Sequence, residues 1–122
     1  MYNYKDIKSI HLEVTSKCQA RCPMCPRRLR GGPMLDSLYL EEISLDLFKK
    51  WFPQQFIKQL NHVYMCGNLG DPIVASDTLE VFEYFRSINP NIWLSMNTNA
   101  GAKKPDWWKN LATVLGRKGH VI

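Results

Sequence analysis

The chain has 122 residues, of which 45% are hydrophobic and 22% are charged, and its formal net charge is +5. These values are typical of one globular domain and argue against a disordered or low-complexity chain. It has no stretch of about 18 or more apolar residues and no secretory signal at its start, so we expect a cytoplasmic protein without a membrane partner.

The first predicted strand lies near the N-terminus. Ile10, Leu12 and Val14 alternate with polar residues, and this spacing predicts a strand that ends where Ser16 and Lys17 begin a loop. Repeated prolines and glycines interrupt the next 20 or so residues, as is typical of irregular structure.

Three cysteines follow this strand in the run Cys-Gln-Ala-Arg-Cys-Pro-Met-Cys, at Cys18, Cys22 and Cys25. In a reducing compartment such residues favour metal binding or thiol chemistry over disulfides. Three thiolates can hold three irons of a cubic iron-sulfur cluster and leave the fourth iron without a protein ligand. The alternatives are a thiol redox pair, which leaves Cys18 without a role, and a zinc site. Zinc would need a fourth ligand, and three residues are available: Cys66, His11 or His62.

Positive charge is concentrated around these cysteines. No acidic residue occurs between Glu13 and Asp36, whereas five basic residues do: Lys17, Arg21, Arg27, Arg28 and Arg30. This basic segment fits a solvated loop, a contact with nucleic acid or an acidic protein, or compensation for an anionic cofactor.

A helix and a second strand are predicted next. Ser44 suits the N-cap of a helix that ends or kinks at Pro53, and its apolar face predicts helix packing by Phe48, Trp51 and Phe52. Residues 62–66 form a short apolar run that predicts a strand, in which we expect Cys66 to be buried. The run breaks at residues 67–72, which contain two glycines and a proline.

The second half repeats the same order of elements. A helix capped by Ser76 or Asp77 continues to Pro90, and residues 92–96 predict a third strand that ends in Asn97-Thr98-Asn99. A further helix is predicted from about Pro105 to Gly116, and residues 120–122 look like the start of a fourth strand. Strand, loop and helix thus recur three times, which predicts parallel strands whose carboxyl-end loops converge on an active site.

With this context, the chain resembles the radical S-adenosylmethionine enzymes, whose motif is Cys-x3-Cys-x-x-Cys after the first barrel strand. That family usually has a Gly-Gly-Glu-Pro-like motif after the second strand, where this chain reads Leu69-Gly70-Asp71-Pro72. It often has an Asn-containing element after the third strand, where this chain reads Asn97-Thr98-Asn99-Ala100. The chain departs from the family in having Asp71 instead of Glu and Met24 instead of an aromatic residue.

The resemblance implies two cofactors and assigns residues to them. Cys18, Cys22 and Cys25 would each bind one iron of a 4Fe-4S cluster, and the methionine part of S-adenosylmethionine would chelate the fourth iron. Gly70, Asp71 and Pro72 would contact the amino group, mostly through backbone carbonyls, and glycine would permit close approach. Asn97 and Asn99 would lie near the ribose hydroxyls, and Met24 would cover the adenine face.

The resemblance also implies the fold and the reaction. The fold would be α/β, with repeated βα units that form the first half of a partial TIM-like (β/α)6 barrel with parallel strands. Residues 1–122 would be the N-terminal part of the core domain, from the first strand to the start of the fourth. The enzyme would cleave S-adenosylmethionine reductively to a 5'-deoxyadenosyl radical that abstracts a hydrogen atom from its substrate, and we expect the isolated chain to be incomplete for turnover.

The resemblance also implies protein partners, and a second hypothesis competes with it. A flavodoxin or ferredoxin would supply the electron, and Pro26-Arg27 is similar to subgroups that act on peptides or proteins. The competing hypothesis is a metal-stabilised binding module whose Arg-rich loop contacts nucleic acid or an acidic protein. It ranks lower because it gives residues 70–72 and 97–99 no role.

Overall fold

The computed structural model describes residues 1–122, in which four strands are separated by four α-helices, two of them between the first two strands. The elements in chain order are β1 (Ser9–Leu12), α1 (Leu45–Trp51), α2 (Gln54–Gln59), β2 (His62–Met65), α3 (Thr78–Ile88), β3 (Trp93–Met96), α4 (Pro105–Leu115) and β4 (Gly119–Val121). The two longest helices have 11 residues each, and no helix of the chain has the length and apolar character that a membrane span requires.

All four strands are parallel and lie in one sheet in the order β1-β2-β3-β4. Leu12 on β1 lies opposite Met65 on β2, and Met65 lies opposite Met96 on β3. Because the strands run the same way, their carboxyl ends and the loops that follow lie at one edge of the sheet. The predicted α/β class with repeated βα units is confirmed.

The core lies between one face of the sheet and the helices. Val63 and Met65 of β2 are fully buried, as are Phe82 and Phe85 of α3. Each such side chain contributes about 1.5–3 kcal/mol relative to an exposed position. The opposite face of the sheet is polar, and one row across the four strands is formed by His11, Tyr64, Ser95 and His120.

Several predicted boundaries are corrected. β1 ends at Leu12, earlier than predicted, because the next residues pair with another segment: Thr15 bridges Glu42, and Ile43 N donates to Val14 O at 2.9 Å. Pro53 does not simply end a helix, since it is also the N-cap of α2, which the sequence patterns missed. Trp51 is 54% exposed rather than packed in the core.

Two polar side chains hold the helices together. Ser44 caps α1 as predicted, and the carboxylate of Asp77 accepts from Leu45 N at 2.8 Å, so it joins the start of α1 to that of α3. Arg86 of α3 donates to five backbone carbonyls, those of Pro90, Ile92, Val114, Leu115 and Lys118. Burial lowers the pKa of this guanidinium from its ordinary value. These hydrogen bonds connect α3 to the C-terminal end of α4 and to the segments that lead into β3 and β4.

Candidate functional site

Three loops meet at the carboxyl edge of the sheet. We call residues 15–35 the cysteine loop, residues 66–71 the second loop and residues 97–104 the third loop; they follow β1, β2 and β3. A cavity of about 290 Å³ lies among them, and we call it the loop cavity. Its walls comprise Cys18, Ala20 and Cys22 from the cysteine loop, Cys66, Gly67, Gly70 and Asp71 from the second, Asn97, Thr98 and Asn99 from the third, and Ile122.

Asp71 connects the second loop to the third. Its carboxylate is buried and accepts from Thr98 Oγ1 at 2.7 Å, from Asn99 N at 2.8 Å and from Ile73 N at 3.1 Å. Hydrogen bonds to an ionised carboxylate are about twice as strong as neutral ones. The side chain of Asp71 therefore holds the two loops in place, and only its backbone remains to contact a ligand.

Gly70 connects the second loop to the cysteine loop. A Cβ at Gly70 would overlap the carbonyl oxygen of Thr15, and the next residue donates its N–H to Lys17 O at 2.9 Å. Only glycine permits this approach of two backbones. The close contact expected at Gly70 is thus made with the cysteine loop itself.

Asn99 connects the third loop to the cysteine loop. Its Nδ2 lies 3.5 Å from Cys18 Sγ, and its Oδ1 accepts from Gln19 Nε2 at 2.6 Å and from Gly101 N at 2.8 Å. Cys18 Sγ is also 3.4 Å from Ala20 N. Two N–H groups thus point at one cysteine sulfur, and such donors stabilise a thiolate that binds metal.

Arg27 is buried inside the cysteine loop. It is 4% exposed, its Nη1 donates to Cys18 O at 3.1 Å, and its Nε has no hydrogen-bond partner. The chain forms two ion pairs, Lys17 with Glu42 and Lys109 with Asp106, and neither involves Arg27. A buried cation without an anionic partner is costly, so this loop is suited to an anionic occupant beside it. The interpretation of the whole basic segment as solvated is wrong at Arg27.

The three motif cysteines form no disulfide, and they differ in how far they are exposed. Cys18 and Cys25 are half-buried and Cys22 is exposed. Cys18 and Cys22 line the loop cavity, but no three Cys, His, Asp or Glu side chains are grouped as for one metal ion. The chemistry of the donors nonetheless fits an iron-sulfur cluster: soft thiolates, N–H groups at Cys18 Sγ and an unpaired buried cation. Metal binding itself commonly brings such ligands together.

The other residues predicted for cofactor binding lie at different depths. Asn97 lines the cavity, and its Oδ1 is buried without a hydrogen-bond partner. Pro72 is buried at the start of a single helical turn behind the second loop. Met24 is 94% exposed and lies outside the cavity wall. Of these three, Asn97 alone lines the cavity, and its side chain keeps an acceptor without a donor.

Sequence patterns missed two contributors to the site. Glu13 follows β1 and binds the second loop with both oxygens, to Asn68 N at 3.1 Å and to Asn68 Nδ2 at 2.5 Å. Cys66 is half-buried and lines the cavity, which corrects the expectation that it packs in the core. The alternation of β2 contained this information, because Val63 and Met65 face the helices and Cys66 therefore faces the other way.

Comparison with known proteins identifies a similarity in fold rather than in sequence. No protein-family model matches the chain, and no curated protein matches its sequence. Among solved structures, the crystal structure of BtrN in complex with AdoMet and 2-DOIA matches with a TM-score of 0.71 at 17% identity. The match covers 94% of this chain but 45% of BtrN, so the chain spans less than half the length of that protein. The chain thus shares the α/β fold of part of BtrN.

Proposed function

We propose that this chain forms the part of a radical S-adenosylmethionine enzyme that binds the cluster and S-adenosylmethionine. The observation that carries the proposal is the joining of three loops, each after its own parallel strand, around one cavity lined by Cys18 and Cys22. The shared fold supports it, since BtrN was crystallised with AdoMet. The proposal also gives the Cys-x3-Cys-x-x-Cys motif and the polar loop residues a common purpose.

Cys18, Cys22 and Cys25 would hold a 4Fe-4S cluster. When bound, such a cluster supplies the electron for cleavage of S-adenosylmethionine to a 5'-deoxyadenosyl radical, the species that abstracts hydrogen from a substrate. The chain contributes the environment: Arg27 offsets negative charge from inside the loop, and Asn99 Nδ2 and Ala20 N point at Cys18 Sγ. Hydrogen bonds to cluster sulfurs and nearby charge set the reduction potential.

The second and third loops would hold S-adenosylmethionine. Backbone carbonyls of Gly70, Asp71 and Pro72 would face the amino group, while the Asp71 carboxylate keeps the loops together. Asn97 Oδ1 is a buried acceptor without a donor, so it suits a ribose hydroxyl. Asn99 would act near the ribose through its position, since both ends of its side chain already have partners. Met24 would cover the adenine once the cysteine loop closes over the ligand.

An acidic one-electron donor, such as a flavodoxin or a ferredoxin, is the proposed protein partner. Arg21 and Arg30 are exposed in the cysteine loop and make no ion pair, so they are free to meet acidic side chains. Such complementary charge mainly speeds encounter and orients the partner.

Anaerobic reconstitution with iron and sulfide tests the proposal. We expect about four irons and four sulfides per chain, and an electron paramagnetic resonance (EPR) spectrum of the reduced protein that changes when S-adenosylmethionine is added. Cys22→Ser should lose the cluster, whereas Ser37→Ala, an exposed substitution in the same region, should keep it. Binding of zinc instead of iron, or a full cluster whose spectrum ignores S-adenosylmethionine, would contradict the proposal.

A further inference from the structure

The fourth cysteine of the chain lies in the same cavity as two of the motif cysteines. Cys66 comes 41 positions after the last motif cysteine, yet it lines the loop cavity together with Cys18 and Cys22. Three cysteines from one loop leave one iron of a cubic cluster without a thiolate. Folding therefore brings a fourth thiol, from a different strand, to the cavity in which that iron would be exposed.

The backbone of Cys66 is held on both sides. Its N–H donates to Leu12 O at 3.2 Å, and its carbonyl oxygen lies 2.6 Å from His11 Nε2. The side chain of Cys66 is on the same face of the sheet as that of Tyr64, two positions earlier. The thiol is thus carried by the rigid end of a strand, whereas the other three cysteines belong to a loop.

The cavity is small, so Cys66 and a bound ligand would compete for space in it. At about 290 Å³ the loop cavity is at the lower end of the range for small-molecule sites. Asn97, whose unpartnered oxygen requires a donor, forms part of the same wall. A ligand large enough to reach Asn97 and the motif cysteines would occupy the space beside Cys66, which lines the same cavity.

We propose that Cys66 ligates the fourth iron of the cluster when S-adenosylmethionine is absent, and that S-adenosylmethionine displaces it. This inference rests on the proposed function. Ligation would replace a solvent ligand of the fourth iron by one iron–sulfur bond and release the thiol proton to solvent. Displacement would break that bond, form bonds from the iron to the methionine part of S-adenosylmethionine, and return a proton to the sulfur. No electron is transferred in either direction. The fourth thiolate would protect the cluster from loss of iron between catalytic cycles, at the expense of weaker S-adenosylmethionine binding.

Oxidative loss of one iron from the reconstituted cluster tests the proposal. Mild oxidation converts an exposed cubic cluster to a three-iron form, which EPR detects without any turnover. In the absence of S-adenosylmethionine, we expect Cys66→Ala to lose iron about tenfold faster than the wild type. In a separate titration, Cys66→Ala should bind S-adenosylmethionine about tenfold more tightly, because no thiolate has to leave. Added S-adenosylmethionine should remove the difference in iron loss. Ser37→Ala, an exposed substitution outside the cavity wall, should behave like the wild type in both measurements.

The outcomes separate this proposal from the function on which it rests. Wild-type protein that binds no cluster would contradict the proposed function. If the wild type and Cys66→Ala both carry a full cluster but lose iron at equal rates, the role of Cys66 is overturned while the function stands. Folded Cys66→Ala without any cluster would also overturn it, since Cys66 would then be an obligatory ligand. Cys66→Val, which retains more side-chain volume, replaces Cys66→Ala if thermal unfolding shows that the alanine variant is unstable.

Discussion

At the scale of single residues, Asp71 is the centre of the site. Its carboxylate receives three donors, and two of them belong to the third loop. The motif that this stretch of sequence resembles more often has Glu at this place, but the shorter side chain fits what the carboxylate does here. It accepts from Ile73 N two residues ahead and still reaches Thr98 and Asn99. Asp71 thus arranges the loops before any ligand arrives, which is the preorganisation that tight binding needs.

Asp71→Asn should loosen the site and destabilise the fold. The change removes the negative charge and turns one buried acceptor into an NH₂ group that faces a donor. Since hydrogen bonds to charged groups contribute about 1.5–3 kcal/mol, we expect the free energy of unfolding to fall by about 2–3 kcal/mol. Urea unfolding measures it, and the exposed Asp36→Asn serves as control. Equal stabilities of Asp71→Asn and the wild type would show that the carboxylate does not hold the loops.

Much of the fold is readable at the scale of elements because buried side chains recur at the spacing of each element. α3 and α4 extend nearly as predicted, since the apolar stripe of α3 and the Pro105 and Gly116 boundaries of α4 are local signals. α2 was missed because it has only six residues and its N-cap is Pro53, a residue type that also commonly follows the end of a helix. A proline at a helix N-terminus and one after a helix C-terminus look alike in a sequence.

The site is predictable only where its chemistry is local. The motif cysteines and the polar residues after each strand stand out by spacing, and the parallel topology brings the loops together as expected. The burial of Arg27 depends on how the cysteine loop folds back on itself, whereas the alternation of β2 already indicated that Cys66 faces away from the helices. Glu13 gives no signal in the sequence for its partner Asn68, which is 55 positions away. Such pairings arise from strand register and loop docking rather than from any residue pattern.

Glu42 forms another link between elements, and the contribution of this link to folding stability should depend on pH. Glu42 accepts from Ser76 Oγ at 2.7 Å, ahead of α3, and from Lys17 Nζ at 3.2 Å, at the start of the cysteine loop. The hydrogen bond from Ser76 is the largest cause that lowers the pKa of Glu42 from its ordinary 4.5. Because the folded pKa is depressed, this stabilisation is present above pH 4.5 and is lost as the pH falls through the folded pKa.

Glu42→Gln tests this pH dependence. At neutral pH we expect the variant to be less stable than the wild type by about 0.5–1.5 kcal/mol, the range for partly exposed charged hydrogen bonds. The difference should shrink as the pH falls below 4.5, where the wild-type carboxyl also becomes neutral. Urea unfolding at several pH values measures both, and Glu41→Gln, whose side chain makes no hydrogen bond, should show neither effect. A difference that stays constant with pH would argue against a charge-dependent link.

At the scale of the whole molecule, the sheet has two edges that differ in protection. Beside β1, the chain continues into Thr15, which pairs with Glu42, so a neighbouring segment covers the end of that edge. The outer side of β4 has no strand beside it, and Val121 and Ile122 are 39% and 69% exposed. An open parallel edge with apolar side chains is a template for pairing with another chain.

The open edge predicts that the 122-residue chain associates with itself as its concentration rises. Unpaired N–H and C=O groups of β4 from two copies would satisfy each other, and the exposed Val121 would be removed from water. Val121→Lys should weaken this association several-fold, because a charged side chain at the edge resists burial in a pairing. Sedimentation velocity over a range of concentrations measures the effect, with Ala112→Lys on the exposed face of α4 as a control of equal charge. If both lysine variants associate as strongly as the wild type, contact through β4 is ruled out. If both weaken it equally, net charge rather than the open edge governs the association.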